Sequence, residues 1–200
     1  MKLIGRYDSP YVRRVGVSLH ALGEAFEHVP LSPFSNAAEF RRYAPIGRMP
    51  ALVLGSGETL IESSAILDYL DELVGPGRAL LPPSGEQRRR SLRILASATA
   101  ACDMAIAINY ERRKPSESVS AAWIARRREQ LDAALGELEA FAPSLPGDRR
   151  LNQIAITTAC TLSYVRRVEP DAARHGYHRQ LDRLVAQCEA LPAFTACPQS

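Results

Sequence analysis

Pro45-Ile46-Gly47-Arg48-Met49-Pro50-Ala51-Leu52 places a proline at the head of an apolar run. Proline has no N–H to give a strand ladder, so it is tolerated at the first residue of a strand or on a sheet edge. A strand is therefore expected to begin at Ala51. A cis Met49–Pro50 bond would turn the Met49 backbone outward, with its N–H and C=O open to an extended peptide. Since about 5–6% of X–Pro bonds are cis, trans is the expectation from sequence.

Downstream, the apolar runs 51–54 and 59–61 flank Gly55-Ser56-Gly57-Glu58, a glycine-containing connection of the length that reads as an antiparallel hairpin. A helix follows over 62–73, with Ile66, Leu67, Leu70 and Leu73 on one face. Upstream, residues 2–7 form a short β run and Ser9-Pro10 opens an amphipathic helix to Leu22. Serine caps orphan amides there, and proline at the first helical position lacks an N–H that would go unbonded anyway. Residues 25–31 alternate as a second strand, and 36–43 read as a short polar helix or turn. The order β-α-β-α-β-β-α predicts a small α/β domain with a mixed four-stranded sheet.

Gly75-Pro76-Gly77 and Pro82-Pro83-Ser84-Gly85 mark a breaker-rich connection. Beyond it only helical patterns occur, over 86–112, 120–141, 152–168 and 177–191, the last stopped by Pro192. The third is apolar on nearly every face, as the central helix of a bundle is. The expected division is an α/β domain over 1–78, a linker over 79–85 and an all-helical domain over 86–200.

The 200 residues are 46% hydrophobic and 24% charged, a globular composition that excludes disorder as the main character. With 25 basic and 22 acidic residues the net charge is +3, which argues against the concentrated basic face of a nucleic-acid binder. Lys2 and Lys114 are the only lysines. Arg88-Arg89-Arg90 and Arg126-Arg127-Arg128 read most simply as solvated helix faces, and for Arg13 and Arg14 that reading stands beside a contact with an anion. No secretory signal is visible. The longest uncharged stretch, 151–165, is shorter than the roughly 20 residues of a bilayer span, so a cytoplasmic protein with no membrane association is expected. Cys102, Cys160, Cys188 and Cys197 show no C-x-x-C and no tight pairing with histidine, so no metal site or redox dithiol is expected.

Two further segments carry possible chemistry. Ser9-Pro10-Tyr11-Val12-Arg13-Arg14 either caps its helix or presents Ser9 and the first-turn amides to an anion. Leu60-Ile61-Glu62-Ser63-Ser64 is again a cap, or else a grip for an α-amino acid head group. In that second reading the carboxylate sits on the helix end, with the Ser63 hydroxyl and amide, and the ammonium sits on Glu62.

Ser-Pro after the first strand, Gly-Arg-Met-Pro-Ala-Leu before the third and Glu-Ser-Ser-Ala-Ile opening the third helix together resemble the glutathione S-transferase family. Residues 151–157, where that family has its buried helix, and the closing Leu191-Pro192-Ala193-Phe194 extend the resemblance over essentially the whole chain, toward small bacterial cytosolic members. One departure is visible: Asn152 and Ala155 stand where the family usually has Ser or Thr followed three residues later by Asp. Asparagine still caps, and the missing carboxylate arm is worth roughly 1 kcal/mol of stability.

The resemblance implies a thioredoxin-like N-terminal domain that binds glutathione as co-substrate and an all-helical domain that contributes the electrophile site. It implies Ser9 as the group that activates the thiol, with Tyr7 as a rival donor. Met49 would pair its backbone with the cysteinyl unit, Glu62 and Ser63 would hold the γ-glutamyl end, and Arg48 (more weakly Arg13) would meet the glycine carboxylate. The thiolate would attack a hydrophobic electrophile near Tyr11 and residues 109–113, as in detoxification. A homodimer is implied, with the 62–73 helix near its twofold axis. Two alternatives stay open: a non-catalytic binding module associated with transcription or translation, and a glutathione-dependent isomerase or dehalogenase.

Overall fold

The computed structural model describes residues 1–141 and 150–199. Strands β1 (Lys2–Ile4), β2 (Glu27–Val29), β3 (Ala51–Val53) and β4 (Thr59–Ile61) form one sheet in the order β2-β1-β3-β4. β1 and β2 are parallel, as the intervening helix α1 (Pro10–Leu22) requires, and β3 is antiparallel to both β1 and β4. With α2 (Ala37–Phe40) and α3 (Ser63–Val74) this is the thioredoxin-like arrangement expected from sequence.

Side chains alternate across a strand, and the register exploits it. Ile4 and Ala51 face Phe40 and Ala44 in one fully buried cluster, with Val29, Met49, Val53 and Ile61 around it. Leu3 and Leu52, paired on the other face, are also fully buried. α1 and α3 pack on each other and on β1 and β3.

The chain divides into two compact units, Met1–Pro83 with Ala190–Ser200, and Ser84–Glu189. The closing segment thus joins the α/β unit, whereas the sequence reading assigned 86–200 to one helical domain. The physical reason is α8 (Pro192–Thr195), whose Phe194 is fully buried and which packs against α1. Pro192 ends one helical pattern and starts the next, where its missing N–H costs nothing.

The second unit contains α4 (Gly85–Glu111), α5 (Ala121–Ala140), α6 (Gln153–Val168) and α7 (Arg179–Glu189). α4 packs against α5 and α6, and α6 against α7. α6 is buried on nearly every face, as its sequence predicts. Its Asn152 side chain accepts from the Ala155 amide at 2.9 Å, so the cap survives without the carboxylate arm. α4 is long and apolar enough to cross a bilayer by length and composition alone, a test that the core helix of a bundle also passes. All four cysteines are buried.

Candidate functional site

The register puts three loops at one end of the sheet. Ile4 pairs with Ala51 and Ala51 with Ile61, so the C-terminal ends of β1 and β4 flank the start of β3. Neighbouring strands lie about 4.8 Å apart, so the three chains leave the sheet within a width of about 10 Å. Met49-Pro50 enters there, the loop leading to Ser9 leaves there, and Glu62-Ser63 leaves there. α1 and α3 both begin at this end, which turns the positive ends of two helix dipoles toward it.

The Met49–Pro50 bond is cis, not trans as the sequence expectation had it. The β3–β1 pairing starts at Ala51, the next residue. Gly5 sits beside it with φ +138, where a Cβ would stand 2.6 Å from a Val12 methyl and 3.4 Å from the Met49 Cβ. Only glycine lets the loop after β1 pass that closely.

Ser9 occupies the N-cap of α1 with an extended backbone (φ −81, ψ 122) and is buried. Its carbonyl accepts the Arg13 amide at 2.9 Å, but its hydroxyl makes no capping bond among the described residues. The hydroxyl is therefore not consumed by the helix, which separates Ser9 from an ordinary cap such as Ser120, whose side chain accepts from the Trp123 amide. Tyr7 is oriented differently. Its ring stacks on His28 at 3.9 Å and 13°. A Cβ on Gly16 would lie 2.6 Å from its Cε1 and 3.0 Å from its hydroxyl. Burial, and then its hydrogen bond with the Cys197 side chain, push the phenol well above its ordinary range. The rival donor is turned into the core.

Glu62 adopts φ 72, a left-handed conformation that costs a non-glycine residue about 1–3 kcal/mol and clusters at ligand clamps. Its carboxylate folds back to accept the Ser64 amide at 3.1 Å and the Ser63 hydroxyl at 3.1 Å. Partial burial works against ionisation. The Ser64 amide, the Ser63 hydroxyl and the nearby Arg14 outweigh it and hold the carboxyl below the usual range. Glu62 is thus a fixed anion. Ser63 gives its hydroxyl proton to Glu62 and accepts from Arg14 at 2.6 Å, so its amide is the donor left to a ligand. Arg48 is exposed on the loop before Met49.

Of the two roles open to the α1 arginines, the solvated one does not occur. Neither is solvated: Arg13 is 2% and Arg14 4% exposed. Arg13 donates to the Cys197 carbonyl at 2.8 Å and lies over the Phe194 ring, which commits its guanidinium to the closing segment and not to a ligand carboxylate. Arg14, which the sequence reading did not place in the site, donates to both Ser63 and Ser64 hydroxyls and lies over the Tyr11 ring. No local signal marks this: the burial of every position over 12–19 follows from how α1 is packed.

Residues 3–78 match the family model of the glutathione S-transferase N-terminal domain. Over 174 residues the chain is 31% identical to the uncharacterized GST-like protein YibF of Escherichia coli, covering 85% of each. It is 36% identical over 109 residues to a maleylacetoacetate isomerase of Pseudomonas aeruginosa, spanning 52% of this chain and 50% of that one. A solved glutathione transferase family member from Pseudomonas fluorescens Pf-5, with bound glutathione, superposes with a TM-score of 0.86 at 32% identity, over 100% of this chain and 98% of that one.

Proposed function

Because the chain belongs to the glutathione S-transferase family, we propose that it binds glutathione at the end of the sheet where β1, β3 and β4 meet and activates its thiol for attack on a hydrophobic electrophile. The observation that carries this reading is the convergence of Ser9, Met49 and Glu62-Ser63 on one sheet end beneath two helix N-termini. The bound glutathione of the Pseudomonas fluorescens relative supports the choice of ligand.

Each part of the tripeptide has a complement. The γ-glutamyl ammonium meets the Glu62 carboxylate and its α-carboxylate the Ser63 amide at the α3 N-terminus. The cysteinyl unit pairs with the Met49 backbone as an added strand would. The glycine carboxylate falls to the exposed Arg48.

A thiol of pKa about 8.5 is only a few per cent ionised at neutral pH. Lowering it by about two units takes roughly 2.7 kcal/mol of preferential thiolate stabilisation. The Ser9 hydroxyl donating to sulfur, with the positive end of α1, supplies interactions of that order. Ser9 has no thiol with which to form a mixed disulfide, which favours conjugation or glutathione-assisted isomerisation over thiol exchange. A homodimer acting in the cytoplasm completes the reading.

A second reading, a glutathione-dependent isomerase, is favoured by the isomerase relative. It differs only in the second substrate: the thiolate adds and is later expelled. Calorimetric titration with glutathione, followed by turnover of an aryl halide and of a cis-enone acid, tests both. Binding with halide turnover supports the first reading and binding with isomerisation the second. A protein that binds no glutathione contradicts both.

A further inference from the structure

We propose that Cys197 is a positioning residue for Ser9, acting through Tyr7 and Arg13. The inference rests on the reading in which Ser9 activates a thiol, and extends it to a segment remote in sequence.

Tyr7 lies two residues before Ser9 in the loop between β1 and α1. Its ring is held from three sides: His28 covers one face, Gly16 closes one edge, and the hydroxyl reaches the Cys197 side chain. His28 is itself fixed, with Nε2 2.8 Å from the Gly5 carbonyl, so the ring cannot slide away without moving the loop. The Gly16 edge leaves no slack, since a Cβ there would meet Tyr7 Cε1 at 2.6 Å and the Cys197 sulfur at 3.1 Å.

Cys197 is fully buried, and its amide donates to the Phe194 carbonyl at 3.0 Å. Burial pushes its thiol up to about 11, against the pull of Tyr7 and Arg13, so Tyr7 faces a neutral partner throughout the physiological range. A second route runs through Arg13. Its backbone amide donates to the Ser9 carbonyl at 2.9 Å and its side-chain Nε to the Cys197 carbonyl at 2.8 Å. One residue thereby joins the closing segment to the N-cap itself. Phe194, fully buried beneath the Arg13 guanidinium at 5.3 Å, anchors the other side. Among the described residues the closing segment bonds to Ser9 by no side chain of its own, yet it holds Arg13, whose amide fixes the Ser9 carbonyl, and Tyr7, the neighbour of Arg6, whose carbonyl accepts the Ser9 amide at 3.0 Å.

The test compares wild type, Cys197→Ala, Cys197→Ser, Tyr7→Phe and the Tyr7→Phe/Cys197→Ala double variant. The first readout, amide hydrogen exchange over residues 6–9 of the ligand-free protein, needs no glutathione. Cys197→Ala and Tyr7→Phe are each expected to speed it about tenfold by local opening. Cys197→Ser should stay near wild type, and the double variant should be no worse than either single change, because both remove the same contact. The second readout is the ultraviolet titration of the bound glutathione thiol. It should move upward in the same variants while glutathione affinity stays within about twofold. Unchanged exchange in Cys197→Ala, additive effects in the double variant, or altered exchange with an unmoved thiol titration each overturns the proposal, even if thermal stability falls. If wild type binds no glutathione, the functional reading fails and a positioning role fails with it. The exchange data would then still separate a structural coupling of the closing segment to Ser9 from none.

Discussion

The Arg14 guanidinium donates to the Ser63 hydroxyl at 2.6 Å and to the Ser64 hydroxyl at 3.0 Å, tying α1, which carries Ser9 at its start, to the first turn of α3. A buried cation thereby stands behind the carboxylate of Glu62, whose partner Ser63 it shares. Arg14→Met leaves a buried hydroxyl without its donor, a loss of about 1–3 kcal/mol in urea unfolding. Glutathione affinity should fall about tenfold with it. Both bonds come from Nη2, and Arg14→Lys keeps the charge and enough donors for two hydroxyls but ends one bond shorter, so calorimetry should return only part of the affinity.

Glu62 sets the acid limit of binding. Its folded-state carboxyl lies below the ordinary value of 4.5, so its contribution to stability is fully present above that value and is lost as pH falls through the lower, folded-state value. Glutathione binding should persist through pH 4.5 and fail below it. In Glu62→Gln binding should be weaker throughout and that acid limb should flatten. Titration calorimetry across the acid range checks both the sign and the window.

Gly16→Ala tests the packing of Tyr7. The new methyl would sit 2.6 Å from the ring, and the ring is backed by His28, so the clash cannot be relieved by a flexible side chain. Overpacking of this kind costs about 1–3 kcal/mol, which thermal and denaturant unfolding would register.

Asn152→Ala removes the side chain that accepts the Ala155 amide at 2.9 Å. The loss of one cap is worth about 1 kcal/mol, and it should appear in unfolding experiments with glutathione affinity unchanged.

The fold was readable because its cues are local. Pro50 announces the start of β3, Gly55 to Glu58 the hairpin, and Ser9-Pro10 the start of α1, and each falls where the structure has it. The fates of Arg13, Arg14 and Tyr7 were not readable, because they depend on partners distant in sequence. Arg14 meets Ser63 and Arg13 meets Cys197. An arginine on a helix looks solvated until the packing around that helix is known. The positive φ of Glu62 is likewise a consequence of the β4–α3 junction, since glutamate itself disfavours it. The cis bond at Pro50 also runs against the intrinsic preference of the dipeptide. Nothing local to the closing segment announces the short helix over 192–195 or its place in the α/β unit.

The central claim is that the Ser9 hydroxyl lowers the pKa of bound glutathione. The most direct measurement is the pH titration of thiolate absorbance for glutathione bound to wild type, Ser9→Ala and Tyr7→Phe. The wild-type thiol should titrate about two units below its free value of about 8.5, and Ser9→Ala should return it most of the way at nearly unchanged affinity. Tyr7→Phe should shift it by less than Ser9→Ala. A wild-type titration at the free value, or one that Ser9→Ala leaves unmoved, would contradict the claim.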